Sequence, residues 1–301
     1  MKKNNSIQKP YRGRFAPSPS GELHFGSLLA AMASYADARH HNGSWLLRID
    51  DIDQARVVKH SDQHILNTLE QCGFEWDEKV SYQSQCIHHY QSALEKLNQA
   101  KLNYPCTCSR KQLKALSDSG IYPGLCRHKI VRDSDDKNSA IRIKVSSEHI
   151  SFIDQIQQSY RQKLSQDVGD FIIYRRDNVF SYQLSVVVDD FQSAITHIVR
   201  GYDLLDSTPR QIYLQQLLSY PQPQYAHIPL AVSEKNLKLS KLSQAKKINC
   251  NLNTLVLAAH FLGQEMGQNE VDNIDDFWQN LISNWEINRV PRMEKQVIIY
   301  P

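Results

Sequence analysis

The chain has 301 residues, 41% of them hydrophobic and 22% charged, with 35 Lys and Arg against 32 Asp and Glu. At about 150 residues per domain, this length predicts roughly two domains with a sizeable core. The composition excludes disordered, collagen-like, mucin-like and polybasic-tail proteins. A net charge of +3 neither demands nor excludes nucleic acid, because a basic face fits inside a near-neutral total.

The opening MKKNNSIQKP is basic, but no apolar run follows it, so it does not read as a secretory signal. The longest apolar patch, residues 252–262, is interrupted by Asn253 and His260 and is too short to span a bilayer. A cytoplasmic location is expected. There, six cysteines are too few for a disulfide scaffold, and clustered ones read as metal ligands before disulfides.

In chain order, residues 11–15 are a strand candidate, ended by Ala16-Pro17-Ser18-Pro19-Ser20-Gly21, a segment no helix could contain. A helix over 26–41 puts Leu28, Leu29, Met32 and Ala36 on one face. A strand over 44–49, an amphipathic helix over 57–72, a strand near 80–82 and a helix over 85–102 follow. This alternation predicts an α/β fold with a parallel sheet flanked by helices. It breaks at Tyr104, where a cysteine cluster, the polar stretch 132–139 and strand-like runs 140–145 and 170–174 predict an inserted module. Alternation resumes with the apolar runs 185–188 and 195–199, a helix over 204–220 and a strand near 228–232. After Lys241 the chain reads as helical, notably over 253–262 and 275–287.

The most informative segment runs from Arg14 to Ser27, RFAPSPSGELHFGS. A strand ends, the chain turns through two prolines, and a helix starts after His24-Phe25-Gly26. A helix N-terminus offers free N–H groups and a dipole that favour anions such as phosphate. Gly26 has no side chain, so a nucleotide can pack closely on the backbone. Neither the P-loop nor the dinucleotide glycine pattern occurs.

This segment closely resembles the signature of class I aminoacyl-tRNA synthetases of the glutamyl subgroup. Three further segments agree in order: Leu47 to Asp53, Val199 to Leu204, and Lys238-Leu239-Ser240-Lys241-Leu242, which is similar to that family's mobile signature loop. The likeness covers residues 11–242. It is closer to one shortened branch, the glutamyl-Q branch, on His24-Phe25-Gly26-Ser27 and on residues 180–190. The chain after Lys241 is also too short for a large anticodon-binding region.

The resemblance implies an enzyme that activates L-glutamate with ATP, Mg2+ accompanying the ATP, without needing tRNA. It implies transfer of the glutamate to queuosine at the wobble position of tRNA(Asp). The implied organisation is a Rossmann-like first half (1–100), an inserted zinc-bearing α+β module of acceptor type (101–184), a second Rossmann-like half (185–232), and a signature-loop and helical C-terminal segment (233–301). His24 and Lys241 would be catalytic. These two, with Gly26 and Lys238, would hold ATP. Arg14, Phe15, Ala16, Pro17, Ser18, Asp50, Tyr182 and Arg200 would bind glutamate. The physical logic agrees: a carboxylate side chain calls for a guanidinium, which grips both oxygens, and phosphates call for positive charge. Asp50 stands where the family usually has Glu. Arg48 and Asp51 read as structural ion pairs, and Tyr182 has a core aromatic as its bland alternative.

Cys106-x-Cys108 with Cys126 could hold a structural zinc tetrahedrally, given a fourth ligand. The resemblance supplies Tyr122 for that place; His128 is chemically the more ordinary ligand, and the sequence does not choose between them. Cys72, Cys86 and Cys250 read as separate core or surface thiols. Two basic runs, Arg127-His128-Lys129 with Arg132, and Lys235, Lys238, Lys241, Lys246 and Lys247, are candidates for tRNA phosphates, with a salt-sensitive affinity. Two alternatives stay open: a shortened glutamyl-tRNA synthetase charging a tRNA 3′ end, and a non-catalytic paralogue that binds nucleotide or tRNA without turnover.

Overall fold

The structure is a computed structural model and describes residues 10–109, 111–113, 121–129, 139–233, 248–265 and 271–298. It opens with three parallel strands, β1 (Arg12–Phe15), β2 (Ser44–Ile49) and β3 (Asp77–Tyr82), ordered β1-β2-β3. The crossovers carry α1 (Phe25–His40) and α2 (Ser61–Gln71), and α3 (Ile87–Gln99) follows the sheet. The expected α/β alternation is therefore present, with β2 on its expected residues.

The middle of the chain divides between two sheets. β4 (Asn103–Cys106), β5 (Ala140–Ile143) and β8 (Ile172–Tyr174) form a small antiparallel sheet. Between them, β6 (His149–Asp154) and β7 (Gln158–Lys163) form a hairpin. β6 lies beside β10 (Gln224–Ile228), giving the sheet order β7-β6-β10-β9 with β9 (His197–Gly201) at the far edge. β9 and β10 are parallel and in continuous register. The Thr196 amide, just before β9, donates to the Arg12 carbonyl at 3.0 Å, so the edge of the first sheet meets the edge of this mixed sheet at β1. β11 (Leu230–Val232) pairs with β12 (Lys295–Val297).

The apolar run 185–188 lies inside a helix, α4 (Tyr182–Gln192), rather than following the strand pattern around it. Its residues Leu184 to Asp190 are all buried, and a helix buried on every side shows no amphipathic period. A period search therefore cannot separate it from a buried strand. After it come α5 (Thr208–Leu218), α6 (Leu252–Phe261) and α7 (Ile274–Asn284).

α1 is the central element. Ala31, Met32, Ala33, Ala36 and Ala38 are all fully buried, because small side chains let α1 approach β1 and β9 on one side and α6 and α7 on the other. Asp37 of α1 anchors the C-terminal segment: it accepts from Tyr11 Oη and, at 3.0 Å, from Trp285 Nε1. Trp278 Nε1 donates to the Cys72 carbonyl at 2.9 Å. Gly73 has φ +77°, and a Cβ there would lie 2.5 Å from Ile274, so only glycine closes α2 under α7.

Cys72 and Cys250 are not separate thiols, as the sequence suggested: they form a disulfide, S–S 2.04 Å, across 178 residues of chain. No local spacing signals such a pair, since the docking of the C-terminal segment against α2 is what brings the two together. Cys86 is a free, half-buried thiol. No helix among the described residues is long and apolar enough to cross a membrane.

The Asp37 node predicts that Trp285→Phe, which keeps the ring packing but removes the indole N–H, destabilises the fold by about 1–3 kcal/mol by leaving a buried carboxylate oxygen short of a donor. Urea denaturation of both proteins would measure it.

Candidate active site

A cleft of 680 Å³ opens where β1 and β9 meet, beyond their C-terminal ends. Strands diverge in connection order at this point, so their following loops separate and leave a crevice. Arg14 through Ser18, His24, Gly26, Asp50, Tyr182 and Arg200 all line it. These are all the expected substrate-binding residues that fall in the described chain; Lys238 and Lys241 lie outside the described residues, as do Arg132, Lys235, Lys246 and Lys247. Tyr182, at the first turn of α4, is 37% exposed and so is not a core aromatic.

His24 caps α1: its Nδ1 accepts from the Ser27 amide at 3.1 Å. A backbone amide can only donate, so the proton of the neutral ring sits on Nε2, facing the Ser27 hydroxyl at 3.3 Å. Burial lowers the His24 pKa, with Asp203 partly offsetting it, which keeps the ring neutral and Nε2 a donor. A Cβ at Gly26 would lie 3.2 Å from the His24 ring, close enough that the imidazole over the first turn would have to shift slightly.

Beside it is a buried charge cluster. Arg14, at the end of β1, forks onto both oxygens of Asp190 at 3.2 and 3.4 Å. Arg48 of β2 reaches Asp50 at 2.7 Å, Asp190 at 2.7 Å and Asp189 at 3.6 Å. The side chains of these five residues are only 4–6% exposed. Two guanidiniums therefore face three carboxylates. Burial alone would raise Asp190, but Arg14 and Arg48 outweigh it and hold it below the usual carboxylate range. Among the described residues Asp50 is paired with Arg48 alone; burial dominates and pushes it up to about 6. Burial also raises Asp189, against Arg48 and hydrogen bonds from Tyr90 at 2.6 Å and Gln83 at 2.7 Å. A cation placed at Asp50 would balance the cluster.

Arg48 is thus the structural ion-pairing residue expected of it. Asp51 has no ion pair among the described residues: its carboxylate accepts from the amide and hydroxyl of Ser84, at 2.8 and 2.6 Å, because it points to the turn after β3 rather than towards Arg48.

Across the cleft, Arg200 of β9 is 4% exposed. Its Nε donates to His227 Nε2 at 3.0 Å and its Nη2 to Thr208 Oγ1 at 2.7 Å, while Nη1 is buried without a protein partner among the described residues. His227 is backed by Asp154 at 2.5 Å. Sequence reading missed Asp154 and His227, and also the roles of Asp189 and Asp190. No local motif marks them; for His227 the only signal is an unpaired histidine in an apolar strand.

Away from the cleft, the sulfurs of Cys106, Cys108 and Cys126 lie within 4.8 Å of one another. The Tyr122 hydroxyl sits among them, 3.4 Å from Cys106 and 3.7 Å from Cys108, and accepts from the Cys126 amide at 2.9 Å. His128 is exposed and outside this group. Tetrahedral zinc with Zn–S of ~2.3 Å spaces thiolates about 3.8 Å apart, so the donor set fits a zinc-sized ion. Arg142 lies over the Tyr122 ring at 3.8 Å and donates to Cys106 Sγ at 3.3 Å, where it would counter the charge of metal-bound thiolates.

A family model described as tRNA synthetases class I (E and Q), catalytic domain, matches residues 11–252. The glutamyl-Q tRNA(Asp) synthetase of Neisseria meningitidis serogroup B is 46% identical over 94% of this chain and 98% of its own length. That of Pseudomonas aeruginosa PAO1 is 46% identical over 94% and 96%. Among solved structures, a glutamate-tRNA synthetase from Elizabethkingia anophelis matches the fold with a TM-score of 0.80 at 21% identity, over 97% of this chain and 68% of that one. With the phosphate-capable helix start, the charge cluster and the guanidinium all gathered at one strand-order crevice, the chain belongs to the class I tRNA synthetases of the E and Q type, alongside the glutamyl-Q tRNA(Asp) synthetases.

Proposed function

We infer that the protein activates L-glutamate with ATP and transfers the glutamyl group to queuosine at the wobble position of tRNA(Asp). The observation that carries this is the match between the cleft's charges and an amino acid with one ammonium and two carboxylates. The near-full-length likeness to glutamyl-Q tRNA(Asp) synthetases supports the acceptor. A cytoplasmic setting goes with a tRNA substrate.

In the first step an oxygen of the glutamate α-carboxylate attacks the α-phosphorus of ATP. The new O–P bond forms as the bond to the bridging oxygen breaks, and pyrophosphate leaves with the electron pair. A hydroxyl oxygen of queuosine then attacks the carbonyl carbon of the mixed anhydride. The ester C–O bond forms as the bond to the phosphate oxygen breaks, AMP leaves with that electron pair, and the hydroxyl proton passes to water. Asp50, ionised, would receive the ammonium and neutralise the cluster's excess charge. Arg200, with Arg14 braced by Asp190, would supply guanidiniums to the carboxylate. His24 Nε2–H and the α1 N-terminus would meet the phosphates, with Lys238 and Lys241 adding positive charge and Mg2+ accompanying ATP. Chemistry here is mostly positioning and charge stabilisation, so loss of one such group costs a large factor.

The division at residues 100/101, 184/185 and 232/233 is our working organisation, with the segment 101–184 carrying the thiol cluster. In it, Cys106, Cys108, Cys126 and Tyr122 would hold a structural zinc that fixes the loops around β4 and β5.

Three outcomes follow from this reading. Purified protein should catalyse ATP–pyrophosphate exchange with glutamate in the absence of tRNA, and Arg14→Ala, Arg200→Ala and Lys241→Ala should each lower kcat/KM by about 10²-fold or more. Exchange that requires tRNA would favour 3′-end charging, and no exchange under either condition would overturn the activation reading.

The KM for glutamate should depend on pH. Asp50 is pushed up to about 6, so the neutral acid dominates below that value and cannot pair with an ammonium. KM should then fall about tenfold per unit as pH rises towards 6 and level off above it, whereas Asp50→Asn should stay high and flat.

Elemental analysis should find about one zinc per chain, lost on Cys108→Ser and weakened in Tyr122→Phe. Wild-type protein without zinc after metal-replete expression would remove the metal from the account.

A further inference from the structure

We propose that Asp154 and His227 are positioning residues that hold the Arg200 guanidinium in the plane needed to receive the substrate's side-chain carboxylate. This deepens the reading above and rests on it.

The sheet register creates the arrangement. His227 of β10 pairs with Arg200 of β9, and Tyr225, two residues earlier on β10, pairs with Asp154 at the end of β6. Both Asp154 and His227 are 0% exposed. Asp154 Oδ1 accepts the amides of Ile156 at 3.0 Å, Gln157 at 2.8 Å and His227 at 3.1 Å, leaving Oδ2 for His227 Nδ1 at 2.5 Å. Four donors thus fix the carboxylate and, through it, the ring.

The tautomer follows from what each partner can do. A guanidinium carries donors only, so His227 Nε2, 3.0 Å from Arg200 Nε, must present its lone pair and Nδ1 must carry the proton. The charges agree: burial and Arg200 push His227 down to about 4, and Asp154, whose burial is outweighed by the His227 hydrogen bond, lies below the usual range. At neutral pH the chain is carboxylate, neutral imidazole, guanidinium. Thr208 Oγ1 takes Nη2 at 2.7 Å. With Nε and Nη2 held from behind, Nη1 is the nitrogen of this cleft-lining side chain that lacks a protein partner among the described residues. A mere tie between β6 and β10 would need Asp154 and His227 but would place no demand on which nitrogen faces Arg200.

The decisive variant is Asp154→Asn. Its Oδ1 can still accept the three amides, but its NH2 now faces Nδ1 and forces the proton to Nε2, where it is turned to Thr208 Oγ1, 3.1 Å away, and Arg200 Nε–H loses its acceptor. His227→Phe removes the acceptor while keeping a ring; His227→Gln restores an acceptor oxygen near the Nε2 position. The side-chain carboxylate is remote from the reacting phosphorus and is held equally before and during reaction, so its grip enters KM.

The measurement is glutamate-dependent ATP–pyrophosphate exchange on the full chain. Asp154→Asn and His227→Phe should raise the KM for glutamate about tenfold or more, with kcat and the KM for ATP within about threefold, and His227→Gln should recover most of the loss. Histidine 15N chemical shifts of the wild-type protein should show an unprotonated Nε2 and a protonated Nδ1 at His227, a readout that survives if a variant fails to fold. Active wild-type protein with both variants at an unchanged glutamate KM, or a wild-type His227 protonated at Nε2, would overturn the inference alone. Wild-type protein that exchanges no glutamate would overturn the functional reading beneath it.

Discussion

The interaction on which the site depends is the buried contact of Arg48 with Asp50, Asp189 and Asp190. It joins β2 to α4, and through Asp190 it reaches Arg14 at the end of β1. Separating one partner would leave an uncompensated buried charge at a cost of about 3–5 kcal/mol. The elements that wall the cleft are therefore locked in one relative position. A cluster of two cations and three anions is also incomplete by one positive charge, and that imbalance opens onto the cleft at Asp50. The same residues thus hold the walls together and leave an unbalanced carboxylate facing the cleft.

Around this centre, packing is arranged so that α1 can be buried on all sides. Its alanines admit β1, β9, α6 and α7 at close range, and its one buried acid, Asp37, is met by Tyr11 and Trp285. The C-terminal helices are consequently part of the core that supports the helix start at His24. The Cys72–Cys250 disulfide and the Trp278 hydrogen bond tie the same segment to α2. A change in the C-terminal docking would be transmitted to the His24 end of α1 through contiguous packing.

Much of this was legible because its signals are local. Two prolines and a glycine between a strand and a helix have few conformations open to them, so the turn after β1 and the cap at His24 could be placed from spacing alone. The resemblance carried by the Arg14 to Ser27 segment, together with the segments at 47–53, 180–190 and 199–204, then named Asp50, Tyr182 and Arg200, and all three line the cleft. Other features were not legible. The valine-rich middle of α4 has no period to read because residues 184–190 are all buried, Asp51 turns away from Arg48 to a neighbouring turn, and Cys72 meets a cysteine 178 residues away.

The strand–helix alternation, the loop chemistry at the head of α1 and the residue types that line the cleft can be read along the chain. The first two depend on neighbours within a few positions. That Arg14 leans on Asp190, that Tyr122 rather than His128 sits among the three thiols, and that Asp154 stands behind His227 and Arg200 comes from the folded arrangement alone. Each of those contacts is set by strand register and helix docking, which depend on the burial of the whole chain at once and leave no trace at any single stretch of sequence.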